Sequence, residues 1–463
     1  MATPNIILIN CDDLGYGDLS CYGSRVNRTP ALDRMAEEGI RFTDFYMAAP
    51  VCSPSRGAMI TGCYPCRIGF GSFDDRWVLF PGQGVGLNPN EKTVAALLKD
   101  QEYATSIVGK WHCGDQPEFL PANHGFDSYY GIPFSNDMGR QLMPDGTIRD
   151  FPPLPLLQDG DVLQEQPDQA ALTERYVEQC VRFLREHRDE PFFLYFAHMY
   201  VHLPIYAPEK YLRNSRNGRY GAGVECVDWS VAAILDELKR LGLDDNTLVV
   251  FTSDNGSRAR NEGGSNAPLR GAKGTTWEGG MRVPCIMRWP GRIPAGQVSA
   301  EVTTAMDFLP TFCRLAGAEV PGDRIIDGND ITPIMFGETE ASSPYDALFY
   351  YLMNDLRAVR CGKWKLHVYT DPETQRVLDD QYELYDLEND IGEQTNLAGE
   401  EPDIVSQLAG RLQECREDLG DASTGVAGQN CRPVGKVDSP RPLTEYDETH
   451  PYIDALYDVT DRG

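Results

Sequence analysis

Apolar runs recur along the N-terminal part of the chain, and each is long enough for one buried strand. Near-continuous apolar runs are typical of strands that are covered on both faces of a parallel sheet. The runs that predict strands are PNIILIN (4–10), IRFTDFYM (40–47), YATSIVG (103–109), PFFLYFAH (191–198) and TLVVFTS (247–253). Helical patterns separate these runs, so the sequence predicts an α/β fold in which helices sandwich a large, mainly parallel sheet.

Helix signals stand between the strand candidates. Thr29 and Pro30 predict an N-cap followed by a first-turn proline. The other helix candidates are 91–100, 170–187 and 227–241. The segment 141–168, which is rich in Pro, Asp and Gln, is predicted to be a long surface loop.

The pattern changes near residue 340. The segments FYYLM, LRAVRCGKWKLHVYT and YELYDLE alternate as short antiparallel strands do, with turns between them. We therefore predict one α/β domain over residues 1–340. Residues 341–463 are predicted to form a C-terminal subdomain with a small antiparallel sheet and an extended tail.

Length and charge restrict the classes of partner. A chain of 463 residues exceeds one typical core, which favours a large domain plus a smaller one. The formal net charge of −28 argues against nucleic acid, because phosphate backbones bind basic surfaces. The sequence contains no apolar run of membrane-spanning length, so no membrane partner is expected. It does not indicate the oligomeric state.

The N-terminal sequence and the cysteines bear on the cellular compartment. MATPNIILINCDD has no charged region before its short apolar run, so we interpret 5–9 as a strand and not as a signal peptide. The thirteen cysteines follow no framework pattern, and reduced thiols are expected. Together these observations predict a cytoplasmic protein.

Acidic and amide side chains follow two predicted strands directly. Asp12 and Asp13 come after the first strand, and Asp254 and Asn255 come after the run at 247–253. Ligand sites in doubly wound sheets lie outside the carboxyl ends of the strands. Carboxylate and amide oxygens suit a hard cation such as Ca²⁺ or Mg²⁺. Each aspartate alone is also a good helix cap, but two polar clusters at equivalent strand ends favour a shared metal site.

Cys52 stands just before a helix signal. Ser53 can cap a helix there and Pro54 fits its first position, so the thiol would lie at a helix N-terminus, where the dipole favours an anion. From the residues alone, Cys52 is either a reactive thiol with a lowered pKa or a buried structural cysteine.

The motif Cys52-Ser53-Pro54-Ser55-Arg56 resembles the signature of type I sulfatases, in the arylsulfatase A and N-acetylgalactosamine-6-sulfatase branch of the alkaline phosphatase superfamily. Other segments that resemble this family are NIILINCDDLGYGDLSCYG, Gly109-Lys110-Trp111-His112, IPFSND with Ser135, HLPIYAP with His202, TSDNG at 252–256, LRGAKGTTWEGGMRVP with Lys273 and LYDLENDIGEQTNLA. The resemblance implies the alkaline-phosphatase-like fold, with a large mixed sheet and a small C-terminal antiparallel sheet.

The resemblance implies an unusual nucleophile and a metal. In this family a formylglycine-generating maturation enzyme oxidises the motif cysteine to Cα-formylglycine, and Cys52 is the matching residue. A Ca²⁺ ion, with Mg²⁺ as the alternative, is then expected on residue 52 and on the two acidic segments. The expected metal ligands are Asp12, Asp13, Cys52, Asp254 and Asn255.

The resemblance also implies roles for cations and histidines. Lys110, Lys273 and Ser135 would hold the sulfuryl oxygens, and Arg56 would stabilise an oxyanion at position 52. His202 is the expected acid for the leaving alcohol, and His112 is the expected base. A lone lysine is more often a solvated surface group, and a lone histidine more often structural. The Gly-rich surroundings of both lysines and the proton chemistry of histidine near neutral pH favour the functional interpretation.

These implications predict a sulfatase that converts a sulfate monoester to an alcohol and inorganic sulfate. A hydroxyl of the hydrated formylglycine would attack sulfur, and loss of a proton from the second hydroxyl would expel sulfate. The substrate would be a sulfated sugar such as galactosamine or galactose sulfate, or else an aryl or steroid sulfate. Loops 71–90, 133–168 and 205–222 are expected to shape the pocket. Two alternatives remain: a phosphomonoester or phosphonate monoester hydrolase on the same scaffold, and a non-catalytic binder of sulfated ligands with Cys52 unmodified.

Overall fold

The strands and helices come from a computed structural model that describes residues 3–149, 151–370, 377–452 and 457–460. Within those residues the strands are β1 (Asn5–Cys11), β2 (Ile40–Phe42), β3 (Phe45–Tyr46), β4 (Val85–Gly86), β5 (Ala104–Lys110), β6 (Ser128–Ile132), β7 (Pro155–Gln158), β8 (Asp161–Glu165), β9 (Phe192–Ala197), β10 (Thr247–Ser253), β11 (Cys285–Arg288), β12 (Gln297–Ser299), β13 (Thr303–Thr304), β14 (Leu348–Leu352), β15 (Asp355–Cys361), β16 (Trp364–Thr370), β17 (Val377–Asp386) and β18 (Gly435–Lys436). The α-helices are α1 (Pro30–Glu37), α2 (Cys52–Thr61), α3 (Val94–Lys99), α4 (Leu172–Glu186), α5 (Glu209–Asn214), α6 (Gly218–Leu241), α7 (Glu278–Met281), α8 (Phe308–Ala316), α9 (Thr332–Met335) and α10 (Pro402–Leu419).

One mixed sheet of ten strands organises the larger part of the chain. Its order is β12-β2-β11-β10-β1-β9-β5-β6-β7-β8. The five central strands, β10, β1, β9, β5 and β6, run parallel to one another. Their carboxyl ends therefore lie along the same edge of the sheet. The predicted α/β fold with a mainly parallel sheet is confirmed.

The side chains of β1 alternate between two apolar cores, one on each face of the sheet. Ile7 and Ile9 pack in the core that contains residues of α1, α4 and α6. Ile6 and Leu8 pack in the core that contains residues of α2, α3 and α8. All four side chains are fully buried. Cover on both faces explains why this strand reads as a continuous apolar run and not as an alternating one.

Two of the predicted elements differ from the structure. The run at 40–47 forms β2 and β3, which belong to different sheets. The chain turns between them at Asp44, whose carboxylate pairs with Arg282 at 2.6 Å and with Arg360 at 2.9 Å. The segment 141–168 is not all loop, because β7 and β8 form a hairpin that extends the main sheet beyond β6. The prolines in this segment concealed its buried strand residues.

A helix N-terminus shows how a distant residue replaces an expected local cap. α1 begins at Pro30 as predicted, but the side chain of Thr29 makes no capping hydrogen bond. The carboxylate of Asp228 in α6 instead accepts the backbone N–H groups of Ala31 at 3.0 Å and Leu32 at 2.9 Å. Asp228 lies near the middle of α6, because this helix begins at Gly218, well before the predicted start at 227.

The C-terminal residues form a four-stranded sheet, and their tail pairs with a strand from the N-terminal part of the chain. Strands β14, β15, β16 and β17 make an antiparallel sheet, which confirms the predicted small sheet, and α10 packs against it. In the tail, β18 pairs with β4. The domain boundary between 340 and 341 stays a prediction. In the described part of the chain, no helix combines the length and apolarity that a membrane crossing requires.

Candidate active site

The carboxyl ends of neighbouring parallel strands bring the two acidic segments together. Cys11 in β1 lies opposite Ser253 in β10, so Asp12 and Asp254 leave the sheet side by side. One ligand atom from each of Asp12, Asp13, Asp254 and Cys52 lies within 4.8 Å of the others, and all four residues are buried. The prediction that these segments meet beside residue 52 agrees with this geometry.

Asn255 completes the acidic cluster. Its Nδ2 donates to Asp13 Oδ1 at 2.7 Å, which orients the amide and leaves Asn255 Oδ1 buried and without a hydrogen-bond partner in the described part of the chain. Burial and the neighbouring charge of Asp12 raise the pKa of Asp254 to about 6. Grouped carboxylates and an unpaired amide oxygen are the donor set of a hard cation. The residues present therefore fit a divalent metal.

Cys52 opens α2, two residues earlier than the helix start expected at Pro54. Val51 is the N-cap residue, and its backbone is extended. Pro54 lies in the first turn, where the helix needs no N–H donor. Ser53 does not cap the helix, since its Oγ accepts the backbone N–H of Leu79 at 3.1 Å.

The thiol of Cys52 lies in the acidic cluster and not at an exposed nucleophilic position. Its Sγ is 3.5 Å from Asp12 Oδ1, and the residue is 1% exposed. Burial, with the charge of Asp12, raises the pKa of the thiol far above its usual value. This environment disfavours the interpretation of Cys52 as a thiolate with a lowered pKa, because the nearby lysines do not offset burial and the charge of Asp12.

Lys110 and Arg56 balance the negative charge of the cluster. Lys110, the last residue of β5, donates from Nζ to Asp12 Oδ2 at 2.5 Å and to Ser135 Oγ at 2.8 Å. Arg56 lies one helical turn after Cys52, and its Nε donates to Asp254 Oδ2 at 2.8 Å. Its Nη1 donates to the backbone oxygen of Lys110 at 2.8 Å, whereas Nη2 makes no hydrogen bond within the described residues.

Lys273 reaches the same cluster from the loop after β10. Its Nζ donates to Asp13 Oδ2 at 2.9 Å. Burial disfavours the charge of Lys273, but Asp13 more than offsets that effect and raises the pKa of the ammonium group. For Asp13, the same ion pair overcomes desolvation and lowers the pKa of the carboxyl well below its usual value. Lys110, Lys273 and Ser135 thus converge beside residue 52.

The two histidines are buried in fixed orientations. His202 Nδ1 is 2.6 Å from the backbone oxygen of Leu203, and His202 Nε2 is 4.0 Å from Asp13 Oδ2. His112 Nε2 is 3.0 Å from the backbone oxygen of Leu79. A carbonyl oxygen only accepts hydrogen bonds, so the ring nitrogen facing it carries the proton. Neutral His202 therefore presents a bare Nε2, and neutral His112 a bare Nδ1.

Burial keeps both histidines neutral. Desolvation, helped by Lys273, lowers the pKa of His202 to about 4. Desolvation and the charge of Lys110 lower the pKa of His112 well below its usual value. Within the described residues His112 Nδ1 has no hydrogen-bond partner, so it is a free acceptor in a buried site.

A cavity of about 490 Å³ opens onto Cys52, Ser135, His202 and Lys273. Loops 71–90 and 133–168 contribute to its lining, as expected, but the segment 205–222, which is described throughout, does not. Trp77, 47% exposed, is among the lining residues. Three further arginines line the cavity and were not predicted from the sequence: Arg149, Arg258 and Arg260. For Arg258 and Arg260 the only signal was the basic excess of segment 256–276 in an otherwise acidic chain, whereas the acidic segment 133–168 gave no signal for Arg149.

Comparison with known proteins identifies the family. The sulfatase family model matches residues 4–318, and the model described as N-sulphoglucosamine sulphohydrolase, C-terminal, matches residues 272–418. The chain is 42% identical over 380 residues to N-acetylgalactosamine-6-sulfatase of Canis lupus familiaris, covering 79% of this chain and 72% of the relative. It is 37% identical over 468 residues to arylsulfatase A of Homo sapiens, covering 93% and 90%.

A solved structure supports the same assignment. The crystal structure of Ps i-CgsB in complex with k-i-k-neocarrahexaose has a TM-score of 0.78 and 31% sequence identity, covering 89% of this chain and 92% of that one. The chain belongs to the sulfatase family and is a hydrolase of sulfate monoesters. A metal and a formylglycine are typical of that family.

The relatives correct the predicted compartment. N-acetylgalactosamine-6-sulfatase and arylsulfatase A are enzymes of the secretory pathway, so the prediction of a cytoplasmic protein is wrong. That prediction rested on the N-terminal residues and on unpatterned cysteines, and neither feature reports the compartment of a folded domain. All thirteen cysteines are free in the structure, as expected from their spacing.

Proposed function

We propose that the protein hydrolyses the sulfate ester of a saccharide, with residue 52 as the nucleophile after Cys52 is converted to formylglycine. The observation that carries this proposal is the position of Cys52. It begins a helix inside a cluster of three buried carboxylates, with ligand atoms within 4.8 Å of one another. The raised pKa of its thiol makes an unmodified thiolate a poor alternative.

The metal we propose is Ca²⁺. Asp12, Asp13, Asp254 and the unpaired Oδ1 of Asn255 would hold it, together with residue 52. All of these donors are oxygen atoms once residue 52 is modified, which favours Ca²⁺ or Mg²⁺ over softer metals. A bound cation would supply positive charge that favours an oxyanion at residue 52 and offsets the charge of the sulfuryl oxygens.

Lys110, Lys273 and Ser135 position the sulfate group. Both ammonium groups point to the carboxylates beside residue 52, and Ser135 accepts a hydrogen bond from Lys110. Sulfuryl oxygens that enter this space would receive hydrogen bonds from the two lysines and from the serine hydroxyl. Arg56 holds Asp254 and keeps its charge one turn from residue 52, where it would stabilise an oxyanion.

The two histidines transfer protons in different steps, His202 at the leaving alcohol and His112 at the nucleophilic residue. Formylglycine supplies, as its hydrate, one hydroxyl that attacks sulfur and a second whose deprotonation releases sulfate. Neutral His202 presents a bare Nε2 to the cavity, 4.0 Å from Asp13 Oδ2. It would first take up a proton at this atom when the negatively charged sulfate ester binds beside it, and would then pass that proton to the leaving alcohol oxygen. His112 Nδ1 has no other partner in the described residues and would accept the proton that the nucleophilic residue loses.

A sulfated saccharide is the substrate class that the relatives support best. One relative is named for N-acetylgalactosamine 6-sulfate, and a similar structure was solved with a neocarrahexaose. Trp77 lines the cavity with an exposed indole, which offers an apolar face to a sugar ring. The polar groups around it would orient the sugar hydroxyls.

A formylglycine-generating enzyme is the proposed maturation partner. The motif residues that it would read are Cys52, Pro54 and Arg56. All three are buried, and Cys52 and Arg56 are each 1% exposed. An enzyme that reads the motif must therefore act before this part of the chain folds.

Turnover of nitrophenyl sulfate by protein from a host with the maturation enzyme tests the proposal. The same protein should show intact mass with thiol sulfur replaced by aldehyde oxygen. Cys52→Ala should abolish turnover and keep the thermal melting temperature within a few degrees. Faster hydrolysis of nitrophenyl phosphate than of the sulfate, or near wild-type activity of Cys52→Ala, would refute the assignment.

A further inference from the structure

The cavity over residue 52 carries more positive charge than the reacting sulfate requires. Two of its cations are paired with acids, since Lys273 donates to Asp13 and Arg149 lies 3.9 Å from Asp137. Arg258 and Arg260 also line the cavity. In the described part of the chain, neither of these two side chains has an ion pair or a hydrogen bond. The cavity thus has a cationic surplus inside a chain of net charge −28.

Arg258 is the better placed of the two arginines. Its Nη1 is buried and has no hydrogen-bond partner among the described residues, whereas Arg260 is exposed. An unpaired buried guanidinium nitrogen is costly, so such a group is expected to have a ligand. The fork geometry of a guanidinium matches the paired oxygens of a carboxylate or a sulfate.

The backbone beside Arg258 is held firmly. Ser257 donates its N–H to Asn266 Oδ1 at 2.9 Å. The carbonyl oxygen of Ser257 accepts the backbone N–H of Lys273 at 3.0 Å and Asn266 Nδ2 at 2.8 Å. Arg258 therefore extends from the same fixed loop junction that holds Lys273. A fixed junction suits a side chain that recognises a ligand at a set position relative to the reacting sulfate.

We propose that Arg258 binds a second anionic group of the substrate, a further sulfate or a carboxylate, while the reacting sulfate lies at residue 52. This inference rests on the proposed function and narrows it to saccharides that carry at least two anionic groups. In the proposed function Lys110, Lys273 and Ser135 hold the reacting sulfate. Arg258 is therefore available to bind a different group of the sugar. Arg258 is a specificity-determining residue, and it takes no part in bond cleavage.

Binding of matched sugars tests this inference. The probes are a monosulfated sugar, its disulfated counterpart and a monosulfated disaccharide with a uronate carboxylate. Their inhibition constants are measured against nitrophenyl sulfate with the mature enzyme. Their dissociation constants are measured by calorimetry with Cys52→Ala, which binds without turnover. We expect the wild type to prefer at least one two-anion probe by about 10- to 100-fold, as one charge-assisted contact allows.

Variants at position 258 and one control variant show whether Arg258 causes the preference for two-anion probes. Arg258→Ala should remove the preference, and Arg258→Lys should keep only part of it because the fork is lost. Arg216→Ala is the matched control, since Arg216 is an exposed arginine outside the cavity and its loss should leave the preference intact. A preference for one probe identifies the second group as sulfate or carboxylate.

The results that would overturn the role of Arg258 differ from the result that would overturn the proposed sulfatase function. A wild type without preference for either two-anion probe overturns the role of Arg258. So does an Arg258→Ala or Arg258→Lys enzyme that weakens all three probes equally, which would place the arginine on the reacting sulfate. Absence of nitrophenyl sulfate turnover would overturn the proposed function, and calorimetry with Cys52→Ala would still report the preference.

Discussion

Lys365 Nζ donates to Glu278 Oε1 at 2.8 Å, and neither side chain is exposed to solvent. The same ammonium group contacts Glu393 at 3.0 Å and the backbone oxygen of Thr276 at 2.9 Å. Lys365 belongs to β16 of the C-terminal sheet, and Glu278 begins α7, directly after the loop that carries Lys273. The small sheet therefore supports one wall of the active site through a buried ionic contact.

Lys365→Met should destabilise the protein strongly. The substitution keeps the length of the side chain but leaves Glu278 and Glu393 buried without their shared cation, which costs about 3–5 kcal/mol. Urea unfolding measures the change in the free energy of unfolding. Lys363→Met is the control, because the ammonium group of Lys363 is partly exposed and Asp386 keeps its hydrogen bonds from Asn389 and Glu388, so a smaller change is expected. Equal stability of the two variants would contradict a structural role for the buried pair.

Lys110→Met should lower catalysis more than Ser135→Ala does. Lys110 supplies a full charge next to residue 52, and removal of one such donor costs about 10²- to 10³-fold in kcat. Ser135 supplies one neutral hydrogen-bonding group, for which about a 10-fold loss is expected. Steady-state kinetics with nitrophenyl sulfate measures both, and circular dichroism monitors the fold. A larger loss from the serine variant would mean that Lys110 serves the fold and not the sulfate.

Metal binding should be visible without turnover. Calcium added to metal-free protein should raise the melting temperature, because a ligand that binds only the folded state stabilises it. Asn255→Ala removes a cluster oxygen that has no partner among the described residues, so it should reduce the rise in melting temperature that calcium causes. The variant also loses the hydrogen bond from Nδ2 to Asp13, so its metal-free melting temperature should be somewhat lower, and the rise is measured from that value. Calorimetric titration with Ca²⁺ and Mg²⁺ gives the two affinities. If neither cation changes the melting temperature of the wild-type protein, the proposal of a metal site at this cluster is contradicted.

The site could be predicted where local sequence determines position. Asp12 and Asp254 follow strands directly, and parallel pairing of those strands places both at one edge of the sheet. Lys110 ends a third strand of the same set. The two aspartates needed only the strand assignment and the rule that parallel strands share an edge. Lys110 follows the predicted strand 103–109, and its role was assigned from the family resemblance.

Residues that depend on distant contacts could not be predicted. Asp228 caps α1 from another helix, and no feature near Thr29 indicates that the local cap is unused. Arg258 enters the cavity because the chain folds back at Ser257 to meet Lys273, a contact between residues of one long irregular loop. Periodicity describes strands and helices, and it carries no information on such loops.

The cap supplied by Asp228 should make stability depend on pH. Burial raises the pKa of Asp228 to about 6 from its ordinary value of 3.8. Between those values the folded state holds a proton that the unfolded state has released. The contribution of Asp228 is therefore fully present below about pH 4 and is lost as the pH rises through about 6, with a slope of up to about 1.4 kcal/mol per pH unit.

Asp228→Asn isolates this contribution, because the amide stays neutral at every pH and keeps an oxygen for the N–H groups of α1. The free energy of unfolding, measured by urea between pH 4 and 7, should fall more steeply with rising pH in the wild type than in the variant. Relative to the wild type, Asp228→Asn should therefore gain stability as the pH increases. Parallel curves for the two proteins would show that Asp228 has the same pKa folded and unfolded. In that case the carboxylate caps α1 in its charged form, and the helix N-terminus offsets the cost of its burial.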